Sequence, residues 1–392
     1  MMDAWILDTV RTPRGKGRAG GALSEVRPVE LVGGLLGALR ERGLAAELVE
    51  DVVLGCVTQS GEQGANLAKI AALWSGWPDH VSGATINRFC ASGLDAVQLA
   101  AAKVAAGMEQ VVVAGGVESM SRVPIFSDKG AWFADREVAR KTGFVQMGFA
   151  ADLVATLHGL ERSELDAYAA RSHQRAVRAR EEDRFARSMI PWGDVLAADE
   201  LVREGMSAEK LAGFDPLFAH ERSEALARAR YPELGDLRHV HHRANSPSLA
   251  DGAALLTITS RAGAEALGAT PRAQILGWAN ASVEPVQMLT ASTRAAHKAL
   301  ERAGVTLADI DLFEVNEAFA AVAVATQRAL EIDPERYNVN GGAIAAGHAM
   351  GATGAILAMT CLDELERQDK ELGLVAIAGG AGLGSAMVIR RG

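Results

Sequence analysis

Cys90 stands in Ile86-Asn87-Arg88-Phe89-Cys90-Ala91-Ser92-Gly93-Leu94, an apolar approach that ends in a turn of small residues. Asp95-Ala96-Val97-Gln98-Leu99-Ala100 then reads as a helix, so the thiol falls at or near a helix N-terminus. Unpaired backbone N–H groups and the positive end of the dipole favour thiolate there. Small neighbours leave the sulfur room to meet a bulky electrophile. A buried, inert cysteine is the plain alternative, and two distant segments weigh against it. Asn316-Glu317-Ala318-Phe319 follows the strand-like Asp311-Leu312-Phe313-Glu314-Val315. Asn338-Val339-Asn340-Gly341-Gly342-Ala343-Ile344-Ala345-Ala346-Gly347-His348 is a glycine-rich turn that ends in histidine. Such a histidine is a natural base for a remote cysteine, and an Asn side chain can help stabilise a developing oxyanion.

Residues so far apart need a fold that brings them together. The outer parts of the chain read as two copies of one α/β plan. Ala4–Asp8 is matched by Ala273–Trp278, and Val111–Gly116 by Leu374–Gly380. Each member of the second pair is an apolar run ending in Gly-Gly, and each follows a helix that starts beside Cys90 or His348. Alternating strands and helices predict mixed sheets buried on both faces. A pseudo-twofold axis would then juxtapose the two turns. The middle differs: residues 119–244 hold 19 Lys and Arg against 20 Asp and Glu, whereas the remainder holds 21 against 29. This Arg-rich, loop-rich insert is the expected place for contacts to a polyanion, and a solvated helical surface is the bland alternative. Its first long helix is expected from about Leu160 to Arg184, with Ser163 and Asp166 as a capping pair.

The 392 residues can bury a large core and imply more than one domain. Three widely spaced cysteines (Cys56, Cys90, Cys361) suggest neither a disulfide framework nor a zinc set, and suit a reducing compartment. The net charge of −9 argues against nonspecific nucleic-acid binding. Tyr337–Leu362 carries no Asp, Glu, Lys or Arg, yet its glycines, Asn and His residues favour a buried strand–turn–helix unit over a membrane span. His239-Val240-His241-His242 has no obvious partner carboxylate or cysteine for a metal.

Together with Gly115-Gly116-Val117-Glu118-Ser119-Met120-Ser121, these stretches resemble the thiolase family, the acyl-CoA C-acyltransferases, from Arg11-Thr12-Pro13 to Gly384-Ser385-Ala386. The resemblance implies an α/β thiolase fold: two duplicated halves with mixed five-stranded sheets, layered αβαβα, plus an inserted loop domain. It divides the chain into an N-terminal half (1–118 plus 245–268), a loop domain over the CoA site (119–244) and a C-terminal half (269–392). It implies cleavage of a 3-oxoacyl-CoA by CoA, or condensation of acyl-CoA, through an acyl-Cys90 intermediate. His348 would be the base and Asn316 would position a water in one oxyanion hole. The backbone N–H groups of Cys90 and Gly380 would form the second. CoA contacts would fall on Met147, Ser246, Ser248, Leu249, Ala318 and Phe319. The resemblance further implies no metal and no permanently bound cofactor, with CoA and acyl-CoA as substrates. Fatty-acid metabolism in the cytoplasm, a homodimer or homotetramer, and a β-oxidation partner subunit belong to the same expectation.

One departure bears on activity. The family carries a second cysteine in a stretch of the type Cys-x-Gly-Gly-Gly-x-Gly, and the match here is Ala378-Gly379-Gly380-Ala381-Gly382-Leu383-Gly384. Ala378 cannot transfer a proton, and losing a positioned acid or base typically costs about 10²–10⁴-fold in rate. Cys361, in an apolar helix, and Cys56, in a strand, both read as core. The alternative function is therefore a thiolase-like protein that binds acyl-CoA or passes an acyl group without thiolase turnover. Two further departures touch ligand placement: Ala349 follows His348 where the family has Pro, and Pro247 replaces a serine.

Overall fold

The computed structural model describes residues 3–392. Its strands are β1 (Trp5–Arg11), β2 (Gly15–Lys16), β3 (Asp51–Gly55), β4 (Ser82–Ile86), β5 (Val111–Ser119), β6 (Ala250–Thr259), β7 (Ala273–Ser282), β8 (Leu312–Val315), β9 (Leu372–Ala378) and β10 (Leu383–Arg391). The order β4-β3-β5-β6-β1-β7-β10-β9-β8 reads as one half followed by its mirror, with β2 pairing on β6. In the first half β3 runs parallel to β4 and β5, while β6 runs antiparallel to β5 and β1. The second half repeats this with β9 parallel to β8 and β10 antiparallel to β9 and β7. It has four strands; the counterpart of β4 shrinks to a single bridge between Phe313 and Tyr337. β1 and β7 join the halves through two residue pairs, Trp5–Gln274 and Ile6–Ala273.

β5 and β6 are buried along their whole length, which explains their continuous apolar runs. Between the two half-sheets lie the helices Ser92–Ala105 and Met350–Arg367, packed on each other and on strands of both halves. Outside them, Pro28–Glu41 and Leu67–Trp74 cover the first half, and Ala291–Ala303 covers the second. The result is the αβαβα layering. The central helices meet at glycines. A Cβ on Gly93 would lie 2.5 Å from Gly351 O, and one on Gly354 would lie 2.4 Å from Leu94 N. Both helices begin just after a candidate catalytic residue, so this contact brings the two turns together.

The insert is more helical than its composition suggests. It holds the helices Ala131–Ala134, Arg136–Thr142, Met147–Leu157, Arg162–Glu181, Ala208–Ala212 and Glu221–Arg230. It also shares apolar clusters with the second half, for example Phe149 and Val322 in one and Leu165 and Val324 in another. The expected capping pair is not formed. Arg162–Glu181 starts after Glu161 without a side-chain cap. Asp166 instead accepts from Arg162 Nε (2.7 Å) and Asn245 Nδ2 (2.9 Å) and bonds His242 Nε2 (2.8 Å), a tertiary demand that outweighs the local one. Among the described residues no helix is long and apolar enough to cross a membrane.

Candidate active site

Cys90 is held by a locked turn. Asn87 Oδ1 accepts from Phe89 N–H at 2.8 Å, Ser92 Oγ accepts from Arg88 N–H at 2.8 Å, and Ser92 Oγ donates to Phe89 O at 2.5 Å. Phe89 pays for this with φ +48°, a left-handed conformation unusual for an aromatic residue. The helix that follows starts at Ser92. Burial, with Glu118 as a second contributor, pushes the Cys90 thiol up to about 12. The backbone N–H groups of Cys90 and Gly380 lie against the sulfur and pull the other way. Desolvation thus outweighs the helix N-terminus: the resting group is a thiol, and a base must activate it.

His348 precedes Met350–Arg367, at the end of a turn in which Gly347 takes φ +92°. Its backbone pairs with Ser248 and Ala250: His348 N–H donates to Ser248 O (2.9 Å) and Ala250 N–H to His348 O (3.3 Å). Thr353 Oγ1 donates to Ala349 O (3.0 Å), so its lone pair faces His348 Nδ1 at 2.8 Å and must accept from it. That places the imidazole proton on Nδ1 and leaves Nε2 bare. Nε2 is buried with no hydrogen-bond partner. Burial, then the Arg14 charge, lowers the imidazole to about 4, so it is neutral and basic in form at physiological pH.

Asn316 continues β8, with its N–H donated to Ala376 O at 2.9 Å. Both polar atoms of its side chain are buried and unpartnered. An unsatisfied buried amide is costly, so this side chain is set up for a ligand or water. Asn316 and Thr353 border one chamber of 290 Å³. Cys90 opens instead into an enclosed space of 40 Å³, whose lining includes Met147, Met350 and Gly380.

Two buried carboxylates brace the turns. Glu118 accepts from the N–H groups of Val57 (3.0 Å), Thr58 (3.1 Å) and Gly351 (2.9 Å) and from Gln63 Nε2 (2.8 Å), linking the first half to the start of the His348 helix. Glu317 accepts from Tyr168 (2.9 Å), Ser172 (2.7 Å) and Ile344 N–H (3.0 Å).

The residues expected to contact CoA fall into two groups. Met147, Ala318 and Phe319 share an apolar cluster with Trp132. Ser246, Ser248 and Leu249 run beside His348, where Leu249 bridges to it and Ser246 Oγ is buried without a partner. The histidine run is not bare: His239 and His241 bond Asp152 at 2.9 and 2.7 Å, and His242 bonds Asp166. Among the described residues no group of three or more His, Cys, Asp or Glu could hold a metal. Ala378 ends β9 and is buried next to Gly379, itself packed on Cys90 N. Cys361 and Cys56 are fully buried, the latter with its sulfur 3.9 Å from Glu118 Oε1.

Sequence reasoning missed several parts. Thr353, five residues after His348, shows its role only through the tautomer. Arg14 donates to Gly347 O (3.2 Å) and pairs with Asp199 (2.7 Å), which also pairs with Arg11 (2.8 Å). That buried cluster ties the insert to the His348 turn. Phe126, Trp132 and Phe133 wall the space above Cys90. Arg136, Arg140, Arg222 and His220 border a separate cleft of 1130 Å³.

The chain matches the thiolase N-terminal domain over residues 4–228 and the thiolase C-terminal domain over residues 269–391. It is 38% identical to a 3-oxoadipyl-CoA/3-oxo-5,6-dehydrosuberyl-CoA thiolase of Escherichia coli K12 and 36% identical to a 3-ketoacyl-CoA thiolase of Colwellia psychrerythraea, over the whole of both chains in each case. The crystal structure of the Bacillus anthracis acetyl-CoA acetyltransferase superposes with a TM-score of 0.87 at 34% identity, covering 100% of this chain and 99% of that one. With a free cysteine, a bare imidazole nitrogen and an unpartnered amide gathered at the central helices, this chain belongs to the thiolase family and is a thiolase-type acyltransferase.

Proposed function

We propose that this chain carries an acyl group on Cys90, taken from a 3-oxoacyl-CoA or an acyl-CoA and handed on to CoA. The observation that carries the reading is the bare, buried Nε2 of His348, fixed by Thr353 beside a turn packed on that of Cys90. His348 Nε2 takes the thiol proton as Cys90 attacks the substrate carbonyl. The Cys90 and Gly380 N–H groups, already turned toward the sulfur, receive the oxyanion. Asn316, with both polar atoms free, holds a water or the second carbonyl oxygen. The proton then returns from His348 to the leaving group, and CoA reverses the sequence.

The cleft with Arg136, Arg140, Arg222 and His220 suits the phosphates of CoA. Phe133 borders both this cleft and the space over Cys90, so an extended ligand could run from one to the other. CoA is a substrate in this reading, with no resident cofactor. The half-buried edge strand β4 and the neighbouring exposed Ile70, Leu73 and Trp74 suit contact with a second copy, as in a homodimer or larger homo-oligomer. A β-oxidation partner subunit would need a surface of its own.

Carbon–carbon cleavage also needs a proton at the substrate α-carbon, which Ala378 cannot supply. Acyl transfer onto Cys90 does not need it, and this favours a second reading in which acyl transfer outlives thiolysis. Steady-state thiolysis of acetoacetyl-CoA and of a longer 3-oxoacyl-CoA, compared with Ala378→Cys, tests both. A gain of about 10²-fold or more marks a thiolase lacking its second cysteine. No gain, with Cys90 still acylated, marks the transfer role. Label that persists in Cys90→Ala would overturn the nucleophile.

A further inference from the structure

We propose that the space over Cys90 selects uncharged acyl groups, and that Asp128 at its wall turns away chains that end in a carboxylate. The proposal rests on Cys90 carrying the acyl group, and it names the class of acyl group carried.

The enclosed volume is 40 Å³, room for little beyond a two- or three-atom group at the sulfur. Its apolar walls come from Phe89, Ile125, Phe126, Trp132 and Phe133, with Met147 and Met350. The aromatic rings brace one another: Phe89 and Trp132 lie 5.1 Å apart, Trp132 and Phe144 4.9 Å, and Phe126 and Phe133 4.5 Å. Thr58 and Asn87 add neutral polar groups. Apart from the Cys90 thiol, Asp128 is the one ionisable side chain on the lining, and no Lys, Arg or His joins it among the described residues. Lys129 follows Asp128 but is not part of the wall. Asp128 is exposed, as are Asn87 and Phe126, and these three residues form the side on which the space meets solvent. The turn that presents Asp128 is strained at both flanks, with Phe126 at φ +69° and Lys129 at φ +51°. Such strain persists where surrounding contacts over-determine a segment, often at ligand clamps.

An acyl chain longer than this volume extends toward the solvent-facing edge of the wall, which carries Asp128 together with Asn87 and Phe126. An alkyl end gains burial against the rings. A terminal carboxylate loses hydration beside ring faces that carry negative charge, and meets the like charge of Asp128 at the solvent side. No cation stands on the wall to compensate.

The test uses two acyl groups of equal length, hexanoyl-CoA and adipyl-CoA, with the CoA part common to both. In the measured step Cys90 Sγ bonds the thioester carbonyl carbon, the carbon–sulfur bond to CoA breaks, and the thiol proton passes through His348 to the leaving CoA sulfur. Intact-mass spectrometry follows acyl-Cys90 with time, so no carbon–carbon cleavage is needed. Hexanoyl transfer is expected to be at least tenfold faster than adipyl transfer, and Asp128→Asn is expected to bring the ratio at least threefold closer to one. Equal rates overturn the selection, and a preference that Asp128→Asn leaves unchanged overturns the role of Asp128. If neither reagent acylates a Cys90 that iodoacetamide still alkylates, the acyl-transfer reading fails, and this proposal fails with it.

Discussion

Cys90 and His348 occupy equivalent places, each at the turn before one of the two central helices, yet they are tuned by different means. At Cys90 the tuning at the sulfur comes from the backbone N–H groups of Cys90 and Gly380, while the Asn87 and Ser92 side chains hold the turn that carries them. At His348 it is done by side chains: Thr353 sets the tautomer, while Arg14 and Asp199 anchor Gly347. Burial drives both groups neutral, the thiol up to about 12 and the imidazole down to about 4. The pair therefore rests as thiol and imidazole, and charge appears only as substrate reacts. A single substitution at Thr353 should therefore reach the imidazole directly, whereas one at Asn87 or Ser92 reaches the thiol only through the turn.

The largest effect should come from Asp199→Ala. It leaves Arg11 and Arg14 buried without their carboxylate, and breaking a buried pair in this way costs about 3–5 kcal/mol. Denaturant unfolding should show this loss; a change below about 1 kcal/mol would remove the cluster from the support of the His348 turn.

The next effect separates the two ends by pH. The folded His348 pKa of about 4 lies below the ordinary 6.5, so between these values the unfolded chain binds more protons. Stability should rise with pH across that window, by about 3 kcal/mol from this group, and be complete above it. His173, also lowered to about 4 by burial, adds in the same direction. Cys90 has the opposite sign. Its raised pKa gives stability that is whole below the ordinary thiol pKa and lost as pH climbs toward 12. Unfolding free energies of the wild type and His348→Asn from pH 4 to 7 check the acid arm, which should flatten in the variant.

A smaller effect is expected from Thr353→Val, which keeps the shape but removes the acceptor for His348 Nδ1. Misplacing a reacting group by about 1 Å can cost about 10²-fold, so Cys90 acylation should slow by about ten- to a hundredfold with little change in melting temperature. Unchanged acylation would mean that packing alone orients the imidazole.

These effects follow what was legible in the sequence and what was not. Cys90 and His348 could be found because each sits in a short stretch of glycine and small residues that is unusual by itself, and Asn316 because it follows a strand in an Asn-Glu-Ala-Phe stretch that resembles the family's. The duplicated halves were legible because their strands carry matching apolar runs that end in Gly-Gly. The Thr353 contact, the Asp199 anchor and the aromatic wall over Cys90 arise from residues close in space and ordinary in sequence. Ser163 shows the opposite error: a good local cap signal lost to the contacts that Asp166 makes with Arg162, His242 and Asn245. The thiolate expected at Cys90 erred in the same way, because the dipole is visible in sequence and the depth of burial is not.

Where the central helices touch, the Gly351 carbonyl oxygen stands against the Gly93 Cα and the Leu94 backbone against the Gly354 Cα, with no flexible side chain between them to yield or repack. The contact acts as a mechanical stop. Thermal motion cannot bring the two reactive turns closer through this contact, nor can rotamer changes set their separation. A single methyl group at Gly93 or Gly354 would act as a shim, shifting thiol against imidazole without touching either.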